Sequence, residues 1–128
     1  FHDAKNNNNS TVILWGSGKP MRDFLFVNDL AEAIIFAIKN KLPEYLYNIG
    51  SDSEISIFNL AKMVQKIVGH KGKIIWDLSK PDGTPKKLLD ISKIKKLGWR
   101  PSTGLEIGIN KTYNWFLKNT DSFKQVKL

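Results

Sequence analysis

The amino-acid sequence predicts an α/β domain, and two observations lead to this prediction. Short runs of β-branched and aromatic residues end at glycine, as strands do, and they alternate with segments whose apolar residues recur at helical spacing. With 128 residues, of which 41% are hydrophobic, the chain can bury one modest core. No repeat or linker divides it. Strands and helices that alternate within one domain are typical of an α/β fold.

The first 27 residues contain the end of a helix and two predicted strands. Residues 1–5 are predicted to be helical, and the polar run at 6–10 to be an exposed loop, because its burial would leave amides unsatisfied. Residues 11–15, TVILW, are β-branched and apolar and stop at Gly16, which predicts a strand. Residues 24–27, FLFV, are a second, short strand candidate.

A helix and a strand are predicted next. Asn28 and Asp29 are cap-type residues that precede a helix from about residue 29 to 39, and Pro43 follows its end. Residues 45–51, YLYNIGS, alternate before a glycine and predict a strand. The apolar face of the helix comprises Leu30, Ile34, Ala37 and Ile38.

The middle of the chain has the best helix signal. Ser56 is the predicted N-cap of a helix, and Gly69 is its predicted C-terminal glycine. The residues between them are amphipathic. A strand is predicted at 72–77, a loop stiffened by two prolines and an Asp-Gly pair at 79–87, and a short helix at 92–97. The apolar face of the first helix comprises Ile57, Leu60, Ala61, Val64, Ile67 and Val68.

A last helix is predicted to begin at Thr103 and Glu106, which have the spacing of a capping box, and the last few residues are predicted to form a frayed tail. Its apolar face comprises Leu105, Ile109, Thr112 and Phe116. Four short strands and about four helices make a thin domain, which suggests a lobe that packs on something larger. Because the chain starts at Phe1 without a methionine, we expect it to be a piece of a longer protein.

Charge and composition narrow the classes of partner. A formal net charge of +8 favours an anionic partner such as a nucleic acid, a nucleotide or a phosphate. No cysteine is present, which excludes disulfides and thiolate metal sites, and His2 and His70 are too far apart in sequence to suggest a metal site. No apolar run is long enough to span a bilayer, so no membrane partner is expected.

Residues 15–24, WGSGKPMRDF, contain glycines and cations but match no phosphate-binding motif. A P-loop would need glycine and Ser or Thr where Ile13 and Pro20 stand. A dinucleotide fingerprint would need glycine at Met21. The glycines are therefore interpreted as turn residues, and Lys19 as a surface residue.

Arg22 and Trp15 are the candidate binding residues of this stretch. The Arg22 guanidinium suits bidentate contact with a phosphate or carboxylate, although an ion pair with Asp23, Asp29 or another acid is the commoner fate of an arginine. Trp15 could stack on a base or sugar, although a strand tryptophan is more often part of a core.

Residues 71–100 hold nine Lys or Arg against three Asp, which could track a nucleic-acid backbone. Only Trp76 and Trp99 interleave with these cations, and a solvated face is the alternative for most of them. Lys86 and Lys87 differ from the rest because the stiff 79–87 loop can aim their ammonium groups.

No catalytic motif is present: the sequence has no Tyr-x-x-x-Lys, no G-x-S-x-G and no H-E-x-x-H. The chain thus has binding groups without a reaction centre, and no catalytic, cofactor-binding or metal-ligating residue is predicted in it.

Two stretches resemble the C-terminal, substrate-binding part of the GDP-L-fucose synthase family, which are Rossmann-type extended short-chain dehydrogenases/reductases. GSGKPMRDFLFVNDLAEA, residues 16–33, resembles a stretch common to many nucleotide-sugar epimerases and dehydratases. SKPDGTPKKLLD, residues 79–90, followed by LGWRP, resembles the fucose synthases more specifically. The resemblance runs from about Phe1 to Phe123.

This resemblance implies that residues 1–128 are a substrate-binding domain, with an NADP-binding Rossmann domain and the catalytic residues upstream of Phe1. The expected reaction is double epimerisation of GDP-4-keto-6-deoxy-mannose and its reduction by NADPH to GDP-L-fucose, in a cytoplasmic homodimer; the chain alone is expected to be inactive. Trp15, Arg22 and Lys87 match substrate-contacting positions, and Lys86 a basic position with a weaker claim. The alternatives are another nucleotide-sugar epimerase or dehydratase, or a basic nucleic-acid-binding module.

Overall fold

A computed structural model describes residues 1–120 as a mixed α/β structure with five helices and five short strands in that range. The helices are α1 (His2–Asn6), α2 (Val27–Lys39), α3 (Ile57–Val68), α4 (Ser92–Lys96) and α5 (Leu105–Lys118). The strands are β1 (Thr11–Trp15), β2 (Met21–Arg22), β3 (Ile55–Ser56), β4 (Lys73–Asp77) and β5 (Lys86–Lys87). The predicted frayed tail lies outside the described residues.

Strands β1 and β4 form a parallel pair that spans five residues from Thr11↔Lys73 to Trp15↔Asp77. Both strands were predicted from local composition, and both are confirmed. The backbone N–H of Gly16 donates to the Asp77 carbonyl at 3.0 Å, which continues the pairing by one residue. The pair therefore delivers Trp15 to the carboxyl end of its strand, where the 15–22 stretch begins.

A second sheet has the order β3-β2-β5, with β3 antiparallel and β5 parallel to the central strand. Its register pairs Met21 with Ser56 and Lys86, and Arg22 with Ile55 and Lys87. The sequence did not predict this sheet, because two-residue strands have no periodicity. It is nevertheless the element that positions the candidate site.

The prediction of a strand at 24–27 is wrong. Residues 24–26 have no regular secondary structure and pair with no strand in the described part of the chain, and Val27 already begins α2. The prediction of a strand at 45–51 is wrong for the same reason. The alternation there still separates side chains that pack on the core from exposed ones, since Tyr47 and Ile49 pack on the core while Leu46 is 76% exposed.

The core lies between α2, α4 and the segment that follows α4. Its fully buried apolar residues are Ala33, Ile91, Ile94 and Trp99. Ile91 and Ile94 are each 1% exposed. Burial of such side chains is the main source of stability in this part of the fold.

Helix α3 agrees with its prediction in detail. The Ser56 hydroxyl accepts the Asn59 N–H at 3.1 Å, and Gly69 ends the helix in the left-handed conformation with φ of 79°. The predicted short helix before Gly98 is confirmed as α4, and the predicted helix at the start of the chain as α1.

The predicted capping box of α5 is not formed. Gly104 is the N-cap, and the Thr103 hydroxyl instead donates to Asp29 at 3.0 Å. Glu106 pairs with Lys66 of α3 at 2.9 Å. Asp29, a predicted cap of α2, is buried within the first turn of that helix and binds residues 102–103.

Large apolar side chains are exposed on several elements, α2 and β1 among them. Ile34 and Ile38 of α2 are 54% and 79% exposed, and Ile13 of β1 is 64% exposed. The role of the chain as a lobe of a larger protein stays a prediction. None of the described helices is long and apolar enough to cross a membrane.

Candidate anion-binding site

The parallel pairing of β2 and β5 places Arg22 beside Lys87, although they are far apart in the sequence. Residues that face each other in a sheet project to the same side of it, and these two side chains line one cleft. The sheet thus brings two cations together, and like charges at facing positions destabilise each other unless an anion balances them.

Arg22 forms no ion pair within residues 1–120. Its Nη1 donates to the neighbouring Met21 carbonyl at 2.7 Å. The two acids that could have neutralised it are occupied elsewhere, Asp23 by Ser51 and Asp29 by residues 102–103. Arg22 is therefore not a structural ion-pair residue in the described part of the chain. Its guanidinium retains donors for a ligand.

The cleft between Arg22 and Lys87 has a volume of about 490 Å³, which is the size of a small-molecule site. Asp23 and an apolar wall line the cleft together with these two cations. The apolar wall is formed by Leu25, Ile49, Leu88 and Leu89.

A smaller cavity of about 120 Å³ lies on the other side of Arg22, and Trp15, Pro81 and Gly83 line it. The Trp15 indole is 75% exposed, so it is not part of a core. The Lys80 ammonium lies 5.6 Å from its ring centroid. An exposed ring next to two cations can stack on a flat or sugar-like group.

Lys86 and Lys19 lie away from both cavities. Successive residues of a strand point to opposite faces, and the Lys86 ammonium forms an ion pair with Glu54 at 2.9 Å. Lys19 is exposed, as predicted. The contact role of Lys86 stays a prediction, and its charge is balanced without a ligand.

Two aspartates that sequence reasoning missed border the cavities. Asp82 accepts hydrogen bonds from the Ser17 N–H at 2.7 Å and the Ser17 hydroxyl at 2.5 Å. The Ser17 side-chain and backbone donors lower the pKa of the Asp82 carboxyl below its ordinary value. Asp23 accepts the Ser51 N–H at 2.9 Å and the Ser51 hydroxyl. Each aspartate is far from its serine in the sequence, so the hydrogen bonds leave no local pattern. The only sequence signal is the Gly-Ser pair at 16–17 and at 50–51.

The basic run at 71–100 does not form a continuous nucleic-acid surface. Trp76 packs over Gly18 and stacks with Phe58, and Trp99 is 6% exposed, so neither ring is free for a base. Three of the lysines form ion pairs, which are Lys86 with Glu54, Lys93 with Glu44 and Lys95 with Asp52.

An apolar groove of about 500 Å³ runs between α3, α5 and residues 24–27. Leu60, Ile109 and Phe116 are among the side chains that line it. No charged side chain lines the groove, so it is unsuited to a phosphate. Within the described residues, no cluster of three or more His, Asp or Glu could hold a metal ion.

The sequence and the fold both match known proteins. Residues 1–50 match the NAD dependent epimerase/dehydratase family. Across 98% of the chain, 47% of residues are identical to a probable GDP-L-fucose synthase from Oryza sativa subsp. japonica, and across 97%, 43% are identical to the GDP-L-fucose synthase of Escherichia coli K12. The chain spans 38% and 41% of the lengths of these relatives.

A solved GDP-L-fucose synthetase from Naegleria fowleri, bound to NADP, has the same fold over this region. It superimposes with a TM-score of 0.88 at 28% identity, over 97% of this chain and 39% of that one. The α/β fold of the chain is thus that of part of a Rossmann-type extended short-chain dehydrogenase/reductase.

Proposed function

The chain belongs to the NAD dependent epimerase/dehydratase family and is similar to GDP-L-fucose synthases, and on this premise we propose that it binds the sugar nucleotide. In this proposal residues 1–128 are the substrate-binding domain. Arg22 and Lys87 hold the diphosphate of a GDP-sugar, Trp15 borders the nucleotide or its sugar, and Lys86 contributes weakly.

The single observation that carries the proposal is the placement of Arg22 beside Lys87 with no acidic partner within 4.0 Å in the described part of the chain. A diphosphate carries the complementary charge, and a guanidinium forms bidentate hydrogen bonds with phosphate oxygens.

The activity of the whole protein is part of the same proposal. It would convert GDP-4-keto-6-deoxy-mannose to GDP-L-fucose by double epimerisation and reduction with NADPH, as a homodimer in the cytoplasm. The described residues carry no dinucleotide-binding fingerprint, because Met21 stands where its third glycine would be. The cofactor and the catalytic groups would therefore come from protein outside this chain, and the chain alone would not turn over substrate.

Calorimetric titration of the chain with GDP tests the proposal. Arg22→Ala and Lys87→Ala should each weaken binding by about 1–3 kcal/mol, the usual loss for a charged hydrogen bond. Lys86→Ala is the matched control, since it removes the same charge from the next residue but from the face paired with Glu54. It should weaken binding far less. Equal losses from Lys86→Ala and Lys87→Ala would contradict the assignment.

Two further ligands test the alternatives. UDP should bind more weakly than GDP if the domain serves a GDP-sugar enzyme, and tighter binding of UDP would favour another epimerase or dehydratase. Single-stranded RNA that binds with a steep salt dependence, while GDP does not bind, would favour a nucleic-acid-binding module.

A further inference from the structure

Two aspartates beside Arg22 hold neighbouring loops in the same way. Asp82 accepts both the N–H and the hydroxyl of Ser17, and we call this pair the Asp82 clasp. Asp23 accepts both the N–H and the hydroxyl of Ser51, and we call this pair the Asp23 clasp. In each clasp one carboxylate binds one serine through two donors, which fixes its orientation as well as its distance.

A glycine precedes the serine in both clasps, and a side chain at either glycine would displace the carboxylate. A Cβ atom on Gly16 would collide with Asp82 Oδ1, and one on Gly50 would collide with Asp23 Oδ2. Gly16 also has a φ of 77°, which disfavours L-residues. The backbone therefore approaches each carboxylate as closely as a glycine permits.

The Asp82 clasp links the end of β1, which carries Trp15, to the loop that leads into β5. In that loop Gly83 lies against Arg22, so that a Cβ atom there would be 3.0 Å from Arg22 Nη2. The Met21 N–H donates to the Pro85 carbonyl at 2.8 Å and begins the pairing that places Lys87 beside Arg22. Asp82 is thus connected to all three proposed binding groups.

The Asp23 clasp acts on the other side of Arg22. Asp23 is the next residue in the chain, and its carboxylate binds Ser51, which directly follows Gly50. Asp23, Gly50 and Lys87 all line the cleft beside Arg22. Asp23 therefore joins the end of β2 to the loop that contributes Gly50 to the cleft.

A carboxylate next to a site for an anion is electrostatically unfavourable, so these two need another role. We propose that Asp82 and Asp23 are positioning residues, which hold Trp15, Arg22 and Lys87 in the geometry that binds the diphosphate. This inference rests on the proposed function of the site. The serine donors occupy the carboxylates, which offsets part of their repulsion of the ligand.

Asp82→Asn separates a positioning role from a purely electrostatic one, because the two roles predict opposite changes in GDP affinity. The variant removes a negative charge, so charge alone would tighten GDP binding. Positioning predicts weaker binding, because the new amide holds Ser17 only through neutral hydrogen bonds, which are about half as strong as those of the carboxylate. We expect GDP to bind about tenfold more weakly to Asp82→Asn and to Asp23→Asn, as befits a lost charge-assisted hydrogen bond that orients the site.

Asp90→Asn is the matched control. Asp90 accepts the Ser92 N–H at 2.8 Å but lines neither cavity, and its serine lies only two residues away, so it cannot hold a distant loop. GDP affinity should change by less than about twofold in this variant, in the range expected for a surface charge. The paired test is Ser17→Ala, which should weaken GDP binding, and Ser17→Thr, which retains the hydroxyl and should restore it.

All titrations are done well below the unfolding temperature of each variant. A clasp that only stabilises the fold would lower that temperature and leave the GDP affinity of the folded chain unchanged, which would overturn the proposal. GDP affinity in Asp82→Asn that equals or exceeds that of the wild type would overturn it as well.

Failure of the proposed function can be told apart from failure of this inference. If GDP does not bind to the wild type, the proposed function is wrong. Amide hydrogen exchange then tests whether Asp82 positions both loops. If it does, exchange at Ser17 and Lys87 should be about tenfold faster in Asp82→Asn than in the wild type. Unchanged exchange at Lys87 would overturn the positioning role whether or not GDP binds.

Discussion

The core around α4 and the candidate anion site around Arg22 are held together by different forces. The core consists of apolar side chains that exclude water, with Ile91 and Ile94 each 1% exposed. The candidate anion site consists of loops and two-residue strands, and aspartates hold these through hydrogen bonds to serine. Stability should therefore be sensitive to the first region and ligand affinity to the second, and variants in each can test this separation.

The largest effect on stability is expected from the core. Ile94→Ala removes a fully buried side chain, and such a deletion typically lowers the free energy of unfolding by about 3 kcal/mol. The GDP affinity of the folded chain should stay the same. Chemical denaturation and GDP titration of the variant measure the two quantities, and a parallel loss of GDP affinity would break the separation.

Asp29 is a polar residue that belongs with the core. Its carboxylate accepts three hydrogen bonds from Ser102 and Thr103, each at 3.0 Å. Burial raises the pKa of Asp29, but these hydrogen bonds outweigh it, and the pKa lies below its ordinary 3.8. Asp29→Asn should lower the free energy of unfolding by about 2 kcal/mol at neutral pH.

The pH dependence of this effect has a defined sign. A depressed pKa in the folded state stabilises the protein above the unfolded pKa, near 3.8, and the stabilisation is lost as pH falls through the folded value. The difference between wild type and Asp29→Asn should therefore shrink below about pH 3.8. Denaturation at pH 7 and pH 3 measures it, and a difference that stays constant would rule out this linkage.

Gly16→Ala should affect the site more than the core. The left-handed backbone conformation disfavours alanine by about 1–2 kcal/mol, and the new Cβ would displace Asp82. Gly98→Ala is the control, because Gly98 also has positive φ but nothing within 4 Å of a new Cβ. Both should lose stability, and only Gly16→Ala should lose GDP affinity. A similar loss of affinity in Gly98→Ala would mean that backbone strain alone acts on the site.

Ser56→Ala should have the smallest effect. It removes the hydrogen bond to the Asn59 N–H at the start of α3, which typically lowers the free energy of unfolding by about 1 kcal/mol. Thermal unfolding measures this, and GDP affinity should not change. A loss of affinity would show that the start of α3 is part of the site.

The sequence predictions succeeded for elements that nearby residues specify and failed for contacts between distant residues. Strands β1 and β4 and helix α3 were predicted because composition, caps and periodicity within a few residues specify them. The strands at 24–27 and 45–51 were wrong because a strand needs a partner, which no local pattern supplies. The capping box at Thr103 was wrong because Asp29, distant in the sequence, takes the Thr103 hydroxyl.

The residues of the candidate site were predicted from the sequence, but the contacts that bring them together were not. Arg22 was singled out because its guanidinium suits bidentate contact with a phosphate, and Lys87 because a stiff loop carries it. Their pairing across β2 and β5 and the two clasps were not predicted, since they join segments that are far apart in the chain. These long-range contacts determine whether the cations act together.

A crystal structure of the chain with GDP would show whether these two cations bind the diphosphate. We expect diphosphate oxygens about 3 Å from both the Arg22 guanidinium and the Lys87 ammonium, the distance of a charge-assisted hydrogen bond. GDP bound elsewhere, for example along the lysines of α4, with Arg22 and Lys87 free of phosphate contact, would contradict it.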